Sequence, residues 1–277
     1  MGILKPRPRR RSFDWLGRLV QMKRIVRFEL NGQSHWGELD LDSGQVFFVR
    51  GSIYDEWERG ELAGSLDSLK KLPPCEPKIV AGLAYNYKDL VGDKDVYDEP
   101  LLFLKTPNTV ISSDEPIQIP KQSVKTWVEV ELAVVLKKSI FNASFEEATE
   151  AILGVTIGND VTTQNVVGRD HHLARSKSLP SFCPIGDYLT TGIDTSNLEM
   201  TTQINARNTQ KSTTQKRILN EIEALVLISK HIPLTPGDLV LTGTPAGAMD
   251  SLISPGDSAI LSIVGVGSLS NKIEMVV

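Results

Sequence analysis

Trp127-Val128-Glu129-Val130-Glu131-Leu132-Ala133-Val134-Val135-Leu136 decides how the chain is read, because it sets two acids into an otherwise apolar strand pattern. Side chains alternate along a strand, so Val128, Val130, Leu132, Val134 and Leu136 share one apolar face. The opposite face, Trp127, Glu129, Glu131, Ala133 and Val135, is largely apolar as well. That makes Glu129 and Glu131 neighbouring carboxylates in a buried wall, and two buried anions need a counter-charge. A third acid stands in Gly154-Val155-Thr156-Ile157-Gly158-Asn159-Asp160-Val161-Thr162, a β-branched run ending in Asn-Asp. Glu129, Glu131 and Asp160, with no Cys or His in the pattern, suit a hard divalent ion, Mg²⁺ or Mn²⁺ and not zinc. An edge strand whose Glu pair faces water has the same spacing, so the rest of the chain has to decide.

With 277 residues the chain can bury a substantial core, as one large domain or one with a small appendage. A formal net charge of -4 gives no reason to expect nucleic acid as a partner. No apolar run approaches the roughly 18 residues of a membrane span. Cys75 and Cys183 allow at most one bridge and have no metal-ligand spacing, so a cytoplasmic location is expected. The first 22 residues differ from the rest, with Lys5, Arg7, Arg9, Arg10, Arg11 and Arg18 against Asp14 alone. Pro6 and Pro8 prevent a regular amphipathic helix there. Residues 1–22 are therefore read as a basic flexible leader, with a targeting or docking tail as the sharper alternative.

From Lys23 the pattern is strand, turn, strand. Asn31-Gly32 and Asp42-Ser43-Gly44 supply hairpin turns between Ile25–Leu30, a segment through Trp36 to Leu41, and Gln45–Val49. A small β-rich module over 23–75 follows, with a short helical pattern near Leu62 to Leu72 and a boundary at Pro73-Pro74. Ser144-Phe145-Glu146-Glu147 fits a capping box, predicting a helix to Leu153 that Gly154 ends. Ile218, Ile222, Leu225, Val226 and Ile232 recur at helical spacing, with His231 at the helix end. Pro236-Gly237-Asp238 and Pro255-Gly256-Asp257 launch further strands. Short strands and few helices imply an α+β, β-dominated fold.

Several blocks, in order, resemble the fumarylacetoacetate hydrolase family. They are Lys78–Tyr85, Phe103-Leu104-Lys105, Glu129–Val135, Gly158–Thr162, Lys177-Ser178 with Phe182–Gly186, and Pro236-Gly237-Asp238 with Thr242–Gly247. The resemblance spans 76–277. It implies a mixed β-roll catalytic domain, homodimeric, that holds Mg²⁺ or Mn²⁺ through Glu129, Glu131 and Asp160 and acts on 2-oxo and acylpyruvate-type acids. It further implies an active-site role for Lys177, whose plain reading is a surface lysine beside Arg175. Thr244 matches a position that hydrogen-bonds the substrate carboxylate, and Tyr85 and Gln164 fall at further substrate-binding positions.

The departures from the family are specific. Ala84 replaces an asparagine, and Lys88 replaces the histidine that activates water. Thr162-Thr163-Gln164-Asn165-Val166-Val167 replaces Thr-Ala-Arg-Asp-Leu-Gln. Lys88 serves as acid or base only if its pKa falls by several units; otherwise it grips a distal carboxylate or stays solvated. His171 and His172 are an alternative source of a base, or a helix-surface pair. The leading expectation is C–C bond hydrolysis through an enolate that the metal stabilises. Tautomerisation, isomerisation or oxaloacetate-type decarboxylation needs no activated water and is the alternative. An idle dicarboxylate-binding protein is the reading from another class.

Overall fold

The structure, a computed structural model, describes residues 12–13, 19–20, 22–92, 99–120, 125–165 and 169–276. Most of the expected basic leader lies outside the described residues; within it, Ser12–Phe13 pairs antiparallel with Leu19–Val20.

Two sheets organise the molecule. The larger has Val130–Leu136 near its middle, flanked by Ile152–Asn159 on one side and Leu239–Leu241 on the other. Beyond Leu239–Leu241 come Val80–Ala84, in parallel pairing, and Leu101–Lys105 at the edge. Buried Asp238 fixes the parallel pair: its Oδ1 accepts from the Lys78 and Ile79 N–H groups, and its Oδ2 accepts from Thr235. The smaller sheet runs Ile117–Pro120, Gly267–Val276, Ser258–Ile263, Glu199–Ile204, Arg207–Thr213.

Every residue of Val130–Leu136 is buried, on both faces. Val130, Leu132, Val134 and Leu136 face the main core, which they share with Leu261 and Leu269 of the smaller sheet and with Ile222, Leu225 and Ile228 of the helix Glu221–Ser229. Ala133 and Val135 face a second core with Val80, Phe103, Leu239 and Leu241. Burying each Val or Leu stabilises the fold by about 1.5–3 kcal/mol, which holds the strand in place despite the acid at 131.

The N-terminal strands form hairpins as the Asn31-Gly32 turn predicts, with both residues at positive φ. They have a small core of their own around Phe28 and Val46. Lys23–Leu30 nevertheless pairs with Tyr188–Thr191, so these strands continue the larger sheet.

Four local expectations are corrected. The segment read as helical near Leu62 is the strand Trp57–Ser65, followed by a 3-10 turn at Leu66–Ser68; cross-strand pairing with Gln45–Gly51 overrides the local pattern. The helix begun by the capping box of Ser144 and Glu147 ends at Ala151, and Gly154 lies inside the next strand. There, a Cβ at Gly154 would press on the Thr190 carbonyl across the sheet. Ile218 precedes its helix, which starts at the Asn220 cap. The Trp127–Leu136 strand is broken at Val128-Glu129 into Thr126–Trp127 and Val130–Leu136.

Both cysteines are buried and unbridged. Among the described residues no helix is long and apolar enough to cross a membrane.

Candidate metal centre

The break at Val128-Glu129 has a partner. Ile152–Asn159 also stops, at Asp160-Val161, and both chains resume as Thr126–Trp127 and Thr162–Thr163, paired in a separate three-stranded sheet. At this shared jog the Asp160 N–H donates to the Glu129 carbonyl (3.1 Å), and the Glu129 N–H donates to Asn159 Oδ1 (3.2 Å). Glu129 and Asp160 are thereby held side by side, with Glu131 one strand position further in. A carboxylate oxygen from each of the three lies within 4.8 Å of the others.

Two lysines answer these acids. Lys105, wholly buried at the end of the edge strand, donates to Asp160 Oδ1 (2.6 Å) and to the Val161 carbonyl (3.1 Å). Lys177 donates to Asp160 Oδ2 and to Thr162 Oγ1 (2.9 Å), with Glu129 Oε2 at 3.7 Å. Its ammonium also lies 4.3 Å from the centroid of the Phe103 ring. Phe103 occupies that place because residue 82 is glycine; a Cβ there would enter the ring. Lys177 closes a short helix, Ala174–Lys177, whose Arg175 and Ser176 N–H groups donate to the Asp170 carboxylate (3.0 Å each).

Burial pushes the pKa of Glu131 well up, and repulsion from Asp160 and Glu129 adds to it. Glu129 is raised in the same way, with Lys177 opposing. At Asp160 burial acts upward too, but Lys105 and Lys177 together outweigh it and hold the group below the usual carboxylate value. Lys177, although buried, is raised by Asp160 and Glu129 and so stays an ammonium. With all three acids ionised, two ammonium groups leave one negative charge uncompensated. All-oxygen donors, mutual proximity and an unpaid anionic charge fit a hard divalent cation.

A cavity of about 710 Å³ opens onto this cluster. Its wall contains Glu129, Glu131, Asp160, Lys177, Tyr85 and Thr244, so six of the residues singled out in the sequence are brought together. Tyr85 sits at positive φ (61°) in a turn tied down by Asn86, whose side chain donates to the carbonyls of Leu219 and Thr242. Thr244 Oγ1 accepts from Gln210 Nε2 (3.0 Å), and the Gly243 N–H donates to Glu131 Oε2 (2.6 Å). Lys88 and Gln164 are exposed and are not part of the wall. His171 is part of it; His172 instead lines a neighbouring groove.

Lys105, Asp170 and Gln210 were not singled out as site residues. Lys105 had a signal, since alternation from Phe103 in Leu101–Lys105 puts both on one face. Asp170 is tied locally, to Arg175 and Ser176 of the short helix that follows it, whereas the pairing of Gln210 with Thr244 is set by tertiary packing and leaves no comparable trace.

Comparison with known proteins identifies the family. The family model described as fumarylacetoacetate (FAA) hydrolase C-terminal matches residues 79–274. A 2,4-didehydro-3-deoxy-L-rhamnonate hydrolase of Sphingomonas sp. is 29% identical over 81% of this chain and 84% of its own length. The oxaloacetate tautomerase YisK of Bacillus subtilis is 28% identical over 84% of each chain. Among solved structures, 2-hydroxyhepta-2,4-diene-1,7-dioate isomerase from Mycobacterium marinum superposes with a TM-score of 0.83 at 28% identity, over 91% of this chain and 98% of that one.

Proposed function

Because the chain belongs to the fumarylacetoacetate hydrolase family, we propose that it is a Mg²⁺- or Mn²⁺-dependent enzyme that interconverts keto and enol forms of a small 2-oxo acid. Glu129, Glu131 and Asp160 would hold the ion, which supplies Lewis-acid stabilisation of negative charge on the substrate's keto oxygen. Lys177 stays protonated between Asp160 and Glu129 and donates a hydrogen bond to the same developing oxyanion. Thr244, its hydroxyl oriented by Gln210, donates to the substrate carboxylate. Tyr85, projecting from its turn into the cavity, orients the substrate against the cluster.

The observation that carries tautomerisation over C–C hydrolysis is the placement of Lys88. At the position of the water-activating histidine stands an exposed lysine outside the cavity wall. Hydrolysis is the second reading, and His171 in the wall is what supports it. The test follows enol absorbance of oxaloacetate and acylpyruvates with EDTA and with Mg²⁺ or Mn²⁺ restored, in wild type and Glu131→Ala. Metal-dependent loss of the enol signal, with the acid recovered intact and a fall of about a thousandfold in the variant, is expected. Two fragment acids as products would establish hydrolysis instead. Stoichiometric metal with no turnover of any acid would mean a binding protein.

A further inference from the structure

We propose that the distal group of the substrate is uncharged and apolar, so that acylpyruvate-type acids with an alkyl or aryl tail are taken in preference to dicarboxylates. This rests on the reading above that a 2-oxo carboxylate sits at the acidic cluster, and it concerns the other end of the molecule.

Charge in the cavity wall is one-sided. Among the described residues it presents Glu129, Glu131, Asp160 and Asp170 against a single ammonium, that of Lys177. Lys177 is already held by Asp160 and Thr162 and is assigned to the keto acid head. The other buried ammonium, Lys105, is spent on Asp160 and the Val161 carbonyl and is not in this wall. A second carboxylate would leave water for a wall whose described residues offer no further ammonium or guanidinium, where a buried anion lacks the partner it needs. Among the described residues of the wall, His171 is the one other group that could carry positive charge, and it is exposed.

What the wall offers a distal group is apolar surface: Leu90, Leu101, Phe103, Leu173 and Met249. Leu101, Phe103 and Leu173, with His171, also line a neighbouring groove of about 670 Å³, to which Ile79, Leu104 and Ile232 add further apolar surface. A tail that reaches Leu101 and Leu173 is therefore bordered by further apolar surface. Lys78, His171 and His172 at that groove are exposed, where a charged side chain gives a carboxylate only weak, screened attraction, and Lys105, which also lines it, is committed to Asp160 and the Val161 carbonyl.

Calorimetry on the Mg²⁺-loaded protein tests this without turnover. The probes are unreactive 2-oxo acids of matched chain length, 2-oxohexanoate and 2-oxooctanoate against the corresponding ω-carboxylates. Affinity should rise roughly fourfold per added methylene in the neutral series. Each ω-carboxylate should bind on the order of a hundredfold more weakly than its neutral counterpart. Leu101→Arg, which sets a guanidinium beside the shared wall, should narrow that gap while metal affinity stays unchanged. Diacids binding as well as neutral acids, no gain with length, or no binding of either series would each overturn the proposal. A Leu101→Arg variant that leaves the gap intact would likewise remove this wall as the tail site. Failure of all turnover with the neutral preference intact would count against the proposed reaction alone.

Discussion

Asp160 shows how much one residue depends on others the sequence does not place beside it. Its oxygens are taken separately, Oδ1 by Lys105 and Oδ2 by Lys177. The three acids were legible because Glu129 and Glu131 interrupt an apolar alternation and Asp160 ends a β-branched run. Alternation places Lys105 on the face of Phe103 but does not name Asp160 as its partner, since the two lie 55 residues apart and meet only across the sheet. Lys88, whose motif position left the cavity and solvent both open, is exposed on the four-residue helix Lys88–Val91. Lys105→Met should therefore uncover a buried carboxylate and destabilise the metal-free protein by about 3–5 kcal/mol, the usual effect of removing one partner of a buried pair. Urea unfolding under EDTA measures this. A shift below about 1 kcal/mol would mean that Lys177 alone suffices for Asp160.

At the scale of elements, sequence reading succeeded where pattern and partner agree and failed where pairing overrides pattern. The capping box of Ser144 and Glu147 and the Asn31-Gly32 turn form as expected, because their hydrogen bonds are local. The jog that splits Trp127–Leu136 was invisible, because it depends on Asn159 and Asp160 supplying bonds that a continuous ladder would have supplied. Edge-strand geometry is equally non-local. Gly82 in Val80–Ala84 admits the Phe103 ring, and Phe103 supports Lys177. Gly82→Ala should thus force the ring aside, lowering stability by about 1–3 kcal/mol and reducing turnover while metal still binds. Denaturation midpoints and metal titration on one preparation separate these effects. Full activity together with native stability would show that the ring has room the packing does not display.

For the whole molecule, the β-dominated α+β character was legible from short strands and turn residues, whereas the continuity of the N-terminal strands with the larger sheet was not, since it depends on a pairing between Lys23–Leu30 and Tyr188–Thr191. Global stability should report on the acidic cluster. Because the pKa of Glu131 is raised in the fold, the folded protein binds its proton more tightly than the unfolded chain does. The stability this contributes is present below the ordinary glutamate value and is lost as pH rises through the raised one. Asp160, held low, contributes the reverse: stability present above the ordinary aspartate value and lost as pH falls through the lowered one. Under EDTA the melting temperature should accordingly decline as pH rises from the acid range to neutral, and saturating Mg²⁺ should abolish the decline with release of protons, detected in buffers of different ionisation enthalpy. A flat melting profile with no proton release would rule out this linkage.

The parallel pairing of Leu239–Leu241 with Val80–Ala84, and of Ile117–Pro120 with Gly267–Val276, also fixes the order of assembly during synthesis. Glu129, Glu131 and Asp160 leave the ribosome well before Gly243, whose N–H steadies Glu131, and before the strands that seal the sheets around them. Such distant contacts make folding slow. A nascent chain consequently carries its acidic cluster open to solvent until Gly243 and the strand before it have emerged, and the centre closes only when Leu239–Leu241 reaches Val80–Ala84.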